Sequence, residues 1–155
     1  MTAYWVGVAS REHVLAAVRG GFCQLNHGKE APLRRLKPGD RLLYYSPRAG
    51  MHEGEQIQAF TAIGEVLAGE PKRVTSFPGF LPYRRDIRYF VGREAPIRPL
   101  LPHLRFSRGK VSWGAVLRRG TFQIEPEDYL LIAHAMGIND AAIPPESSLR
   151  SPNTR

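Results

Sequence analysis

Cysteine is almost missing from this sequence. Cys23 is the only one, so no internal disulfide can form and a reducing, cytoplasmic setting is expected. Long apolar runs are missing too, and nothing approaches the roughly 18 residues of a membrane span. Met1-Thr2-Ala3-Tyr4-Trp5 carries neither a basic stretch nor a long apolar one, so no secretory leader is expected. The five histidines, at 13, 27, 52, 103 and 134, show no His-x3-His spacing, and one cysteine cannot build a zinc knuckle, so no metal site is predicted. Gly20-Gly21 and the pair Gly50 and Gly54 match neither a P-loop nor a dinucleotide fingerprint. No carboxylate pair has an acid–base pattern. Cys23 followed by His27 could be a thiolate and its base. A small buried cysteine at a strand end is the simpler reading. Neither catalysis nor a cofactor is predicted.

What is present suits one folded domain. The chain has 155 residues and is 43% hydrophobic, enough for a proper core and too apolar for wholesale disorder. The domain is expected over residues 1–140, with residues 141–155, rich in Pro, Ser and charge, as a disordered tail. Net charge is +8 and the pI about 10.1. The excess is uneven: residues 61–110 hold ten Lys or Arg against four Asp or Glu, and residues 111–155 hold four against five. A clustered positive surface is the usual footprint of a polyanion, with plain solubility as the competing explanation.

The stretch Leu33–Pro47 organises the chain. Leu33 and Leu36 share a helical face, and Lys37 opposes the negative end of that turn. Pro38-Gly39-Asp40 reverses the chain. Arg41 to Tyr45 is an unbroken strand that Ser46-Pro47 ends, and its apolar content places it in the middle of a sheet. Before it come a strand over residues 4–9 and a helix over residues 11–19. Ser10 caps that helix, Val14, Leu15 and Val18 form its apolar stripe, and Gly20-Gly21 stops it. After it comes a strand over residues 56–67. Ile57, Ala59, Thr61 and Ile63 should face one way, Phe60 and Ala62 the other, with a bulge at Gly64. Phe77-Pro78-Gly79-Phe80-Leu81-Pro82-Tyr83 is a loop with unusually many large apolar residues. A strand over residues 84–93 follows, with Ile87, Tyr89 and Val91 on one face. A proline-punctuated helix is expected within residues 96–104, a last strand over residues 122–125, and a helix opening at Glu125-Pro126.

These elements do not alternate as a doubly wound fold would. The predicted class is α/β in the α+β sense, a small mixed β barrel of five to six strands flanked by short helices.

Lys37-Pro38-Gly39-Asp40 running into a strand that ends Tyr44-Tyr45-Ser46-Pro47 resembles the EVE domain of the UPF0310 branch. Tyr4-Trp5-Val6-Gly7-Val8-Ala9-Ser10, Gly20-Gly21-Phe22-Cys23-Gln24-Leu25, Gln58 to Gly64, Pro96 to Leu101, Trp113-Gly114 and Gly120 to Ile124 fit the same pattern in order and spacing. The EVE domain is grouped with YTH and ASCH domains as PUA-like. The resemblance implies a pseudo-barrel and, as function, non-catalytic recognition of a modified base in DNA or RNA held in an aromatic pocket.

A reader of one unpaired base needs flat walls, hydrogen-bonding groups for the base edge and a positive rim. Candidate walls are Trp5, Phe22, Phe80, Tyr83 and Trp113. Tyr83 and both tryptophans are expected to converge on one cavity. The tryptophans could equally pack in the core. Gln24, Asn26 and Ser46 are the candidate polar readers, with turn-shaping and strand-capping as bland alternatives. Lys29, Arg34, Arg84, Arg85, Arg88, Arg105, Arg108 and Lys110 are the candidate rim. The expected partner is a modified DNA or RNA strand, single or with a flipped base, and the expected state is a monomer. Alternatives are a pocket for a free nucleoside or metabolite, and an accessory role beside an enzyme acting on modified nucleotides.

Overall fold

The chain is described by a computed structural model over residues 1–138. The expected tail and the last two residues of the expected domain lie outside the described residues. The central strand, β3 (Arg41–Arg48), lies between β1 (Tyr4–Val8), which it pairs in parallel, and the antiparallel β4 (Gln56–Val66). Its first six residues are all buried, as expected for a strand covered on both faces. β2 (Phe22–Cys23), β6 (Tyr83–Tyr89) and β8 (Thr121–Ile124) complete a path ordered β2-β6-β4-β3-β1-β8. Two short strands lie off that path: β5 (Lys72–Arg73) on β6 and β7 (Ala95–Pro96) on β4. The six-strand path curls into a PUA-like half-barrel.

Alternation along β3 divides the core in two. Leu43 and Tyr45 face a core built with Phe60, Ile63, Phe122 and the helix α3 (Pro126–Ala135). Leu42 and Tyr44 face a second core with α1 (Arg11–Gly20) and α2 (Glu30–Arg35). Asp40 ties the near end together. Its buried carboxylate accepts hydrogen bonds from the backbone of Ala3 and Lys37 and from the Trp5 indole, all at 3.0 Å. That is the physical content of the Lys-Pro-Gly-Asp run, with Gly39 at φ 91° making the turn.

Ser10 caps α1 by accepting from the His13 backbone at 3.2 Å, and Gly21 at φ 70° ends it. Four expectations need correction. The buried stripe of α1 is Val14 and Ala17, and Leu15 and Val18 are exposed, because the helix meets the sheet along a different line. Pro47 does not end β3. The strand runs on to Arg48 past an irregularity in pairing, where the missing N–H loses no regular ladder bond. The bulge of β4 lies at Thr61, not Gly64, and brings Phe60 and Ile63 into the same core while Ala62 faces the other. Gly64 instead permits close approach, since a Cβ there would lie 2.8 Å from the Arg88 carbonyl. Finally, β6 stops at Tyr89, and Val91 is fully exposed. Among the described residues no helix is long and apolar enough to cross a membrane.

Candidate functional site

Three non-glycine residues among those described adopt left-handed backbone: Asn26 (φ 47°), His27 (φ 62°) and Gln58 (φ 48°). Gly28, at φ 87°, extends the first two into three consecutive left-handed positions. Each non-glycine residue there costs about 1–2 kcal/mol, so its surroundings must hold it. Asn26 is latched to the start of β8: its Nδ2 donates to the Arg119 carbonyl at 3.1 Å, and its Oδ1 accepts from the Thr121 hydroxyl at 2.6 Å. On the other side Gly28 abuts the aromatic loop, and a Cβ there would lie 2.5 Å from that of Pro82 and 3.5 Å from the Phe80 ring. Gln58 is held separately. Its Oε1 accepts from Arg98 Nε at 3.0 Å, and the Arg98 guanidinium lies 5.6 Å from the Trp113 ring centre.

That last contact is one of six arginine–ring contacts among the described residues, and two others also fall on half-buried rings among the predicted walls. Arg84 lies 4.0 Å from the Phe22 ring centre and Arg73 lies 5.3 Å from that of Tyr83. All three rings are half-buried. A half-buried ring with a guanidinium beside it is suited to stacking a nucleobase. The Phe22 pair goes further, because Arg84 Nε also donates to Gln24 Oε1 at 3.0 Å. The Gln24 backbone is fixed in turn by the Tyr44 hydroxyl, which accepts from its N–H at 3.0 Å and donates to its carbonyl at 2.8 Å. Beside them sits the His13 imidazole, edge-on to Tyr44 at 6.1 Å. Its Nε2 is buried without a hydrogen-bond partner among the described residues. Burial lowers the His13 pKa, a contact with the Gln24 main chain opposes this, and the Arg84 charge adds to the lowering. The ring is therefore neutral near pH 7 and can donate through one nitrogen and accept through the other. Sequence reasoning passed over His13. The one available signal was its place in the first helical turn after the Ser10 cap.

The EVE domain family model matches residues 3–135. A UPF0310 protein of Mesorhizobium japonicum is 52% identical over 139 residues, covering 88% of this chain and 93% of that protein. The UPF0310 protein YdcG of Bacillus subtilis is 44% identical, covering 89% and 94%. Among solved structures, the YTH domain of Zygosaccharomyces rouxii MRB1 in complex with N6-methyladenosine RNA aligns with a TM-score of 0.57 at 15% identity, covering 86% of this chain and 85% of that one. This chain belongs to the EVE domain family. Its fold is shared with YTH domains.

In this EVE domain the predicted walls do not meet in one cavity. Trp5 is 7% exposed and its indole N–H is spent on Asp40, so it is a core residue. Tyr83 packs against that same core and Trp113 against the other, because the sheet runs between them. Ser46 is also withdrawn: it is fully buried, and its hydroxyl shares a hydrogen bond with Thr61 at 2.8 Å. Phe22, Gln24 and Arg84 are brought together. Phe80 flanks the strained loop that Asn26 opens, although both atoms of the Asn26 amide already have partners. A cleft of about 430 Å³ lined by Met1 to Tyr4 and Gln123 to Pro126 holds none of the predicted side chains.

The rim also divides. Arg85 is 5% exposed and donates to the carbonyls of Leu33, Leu36 and Leu67, so it is structural and faces no phosphate. Arg88 pairs with Glu65 at 2.6 Å, Arg34 with Glu30 and Glu70, and Arg105 with Glu127 at 3.7 Å. Lys29, Arg108 and Lys110 are exposed and have no carboxylate partner among the described residues. Cys23 is fully buried and its thiol is pushed up to about 12 by burial, so it supplies no thiolate to His27.

Proposed function

We propose that this EVE domain is a non-catalytic module that binds a DNA or RNA strand and holds one modified base at Phe22, Gln24, His13 and Arg84. The observation that carries the reading is the partnerless, buried Nε2 of His13 beside a guanidinium–phenylalanine stack. A buried polar nitrogen is costly unless something pairs with it, and a flat heteroaromatic ring on Phe22 would supply a partner at its edge. In this reading Phe22 stacks the base, His13 and Gln24 read its edge, and Arg84 covers the stack. Phe80, on the loop against Gly28, and Tyr83, at the start of β6, offer the apolar niche for a methyl group. The shared fold with a YTH domain whose solved complex contains N6-methyladenosine RNA supports the same assignment.

The test is a titration of a short single-stranded RNA carrying one N6-methyladenosine, the same RNA unmodified, the same sequence as DNA, and free N6-methyladenosine. Base stacking is worth about 1–3 kcal/mol, so Phe22→Ala should lower affinity for the modified strand by about tenfold or more. His13→Ala should narrow the preference for the modified over the unmodified strand. Wild-type affinity retained in both variants would remove the pocket from consideration. Free nucleoside binding as tightly as RNA, with no dependence on salt, would favour a small-molecule site instead.

A further inference from the structure

Between Ala95 and Ile124 the chain contains no Asp or Glu, yet it carries Arg98, Arg105, Arg108, Lys110, Arg118 and Arg119. All six are exposed, and among the described residues only Arg105 has a carboxylate partner. Both ends of this ribbon touch the strained residues. Arg98 holds Gln58 and lies over Trp113, and the Arg119 carbonyl receives Asn26. Its middle is pinned from beneath. The buried Asp128 carboxylate accepts from the backbone N–H groups of Arg105 and Phe106 at 2.8 and 3.3 Å, and the Ser107 hydroxyl donates to the Leu101 carbonyl at 3.0 Å. The Phe106 ring packs edge-on against Phe122 at 5.5 Å. Positive side chains thus stand on a fixed backbone. The β6 side of the molecule differs: Arg84 and Arg85 are engaged internally, Arg88 is neutralised by Glu65, and Lys72 pairs with Asp86 at 3.4 Å.

We propose that residues 98–119 form the track for the sugar–phosphate backbone next to the captured nucleotide, so that the strand leaves the site on this side and not across β6. Arg98, Arg108, Lys110, Arg118 and Arg119 contact successive phosphates, and the half-buried Trp113 stacks a neighbouring base. This rests on the reading that the site takes a nucleotide. Phosphate contacts of this kind are indifferent to base identity and release counterions, so they are read in the salt dependence and not in the preference for a modification.

Two double variants test the track, Arg108→Glu/Lys110→Glu and Arg118→Glu/Arg119→Glu. The control is Arg19→Glu/Lys37→Glu, at exposed positions on the end of α1 and before the start of β3. The probes are the single-stranded RNA with one N6-methyladenosine and its unmodified counterpart, each titrated at several salt concentrations. Each track double should weaken both RNAs alike by about tenfold and lower the slope of log affinity against log salt by about 1.4, the equivalent of two lost contacts on a single strand. The control double should stay within about twofold of wild type. Unchanged affinity and slope in the track doubles, or an equal loss in the control, overturns the proposal, as does a wild-type chain that binds neither RNA at low salt. Failure of the base pocket is distinguishable: the two RNAs would then bind wild type equally, while the slope would still fall in the track doubles.

Discussion

His13 shows what a single residue can carry unseen. In the sequence it is one of five histidines, on a helix read only for its apolar stripe, and nothing in its spacing marks it. Only the packing of α1 on β3 brings it to Gln24, Tyr44 and Arg84. Trp5 is the converse. A tryptophan can serve as a wall or as core, and composition cannot decide which; Asp40, 35 positions away, decided it by claiming the indole N–H. The lowered pKa of His13 has a sign in stability. The unfolded chain takes up its proton near the ordinary histidine value, whereas the folded one resists, so the unfolded state binds more protons between the two values. Stability is therefore full above that ordinary value and falls as pH drops through it toward the lowered folded value. Urea melts of wild type and His13→Gln at about pH 7.5 and about pH 5.5 should show the larger loss in wild type. Equal losses in the two proteins would mean that the imidazole titrates as in water.

At the scale of elements, the strand order is beyond sequence periodicity but the strands themselves are not. Ser10, Gly21 and Gly39 mark their boundaries by local chemistry, and they fall where expected. Alternation failed in β4 because one inserted residue at Thr61 reverses every side chain beyond it, and no residue type announces a bulge there. The strain of residues 26–28 left no mark in the sequence, where turn-shaping was only an alternative role for Asn26, since Asn and His leave no trace of φ there. Two glycine substitutions separate strain from contact. Gly28 and Gly39 have nearly the same φ, 87° and 91°, but a Cβ at 28 would meet Pro82 at 2.5 Å and one at 39 would meet none of the described residues within 4 Å. Gly39→Ala should cost about 1–2 kcal/mol from backbone conformation alone. Gly28→Ala should cost about 2–4 kcal/mol, the excess coming from the clash. Chemical denaturation of both variants gives the comparison. Equal losses would show that the loop does not rest on Pro82.

Across the whole molecule, the residues that hold the fold and those offered to a ligand are carried by different parts of the chain. Asp40 stands before the start of β3 and binds the N-terminal strand, the turn and, through its main chain, the end of β4, where the Val66 N–H reaches the Asp40 carbonyl at 2.8 Å. The latch of Asn26 to β8 lies toward the other end of β3, where Val8 pairs with Tyr45. This separation explains why a family resemblance could be read from the turn while the candidate site could not: the turn is one continuous run, whereas His13, Gln24 and Arg84 meet only in three dimensions. It also yields a test that distinguishes the two sets of residues. Trp5→Phe removes one hydrogen bond to a buried carboxylate and should cost about 1.5–3 kcal/mol, while Asp40→Ala strands three donors and should cost more, about 3–5 kcal/mol. At temperatures where it remains folded, Trp5→Phe should bind the methylated RNA as wild type does, because Trp5 faces the core. Phe22→Ala should show the reverse, with stability reduced less than affinity. A Trp5→Phe variant that keeps its denaturation midpoint and loses RNA affinity would return Trp5 to the pocket and reverse this assignment.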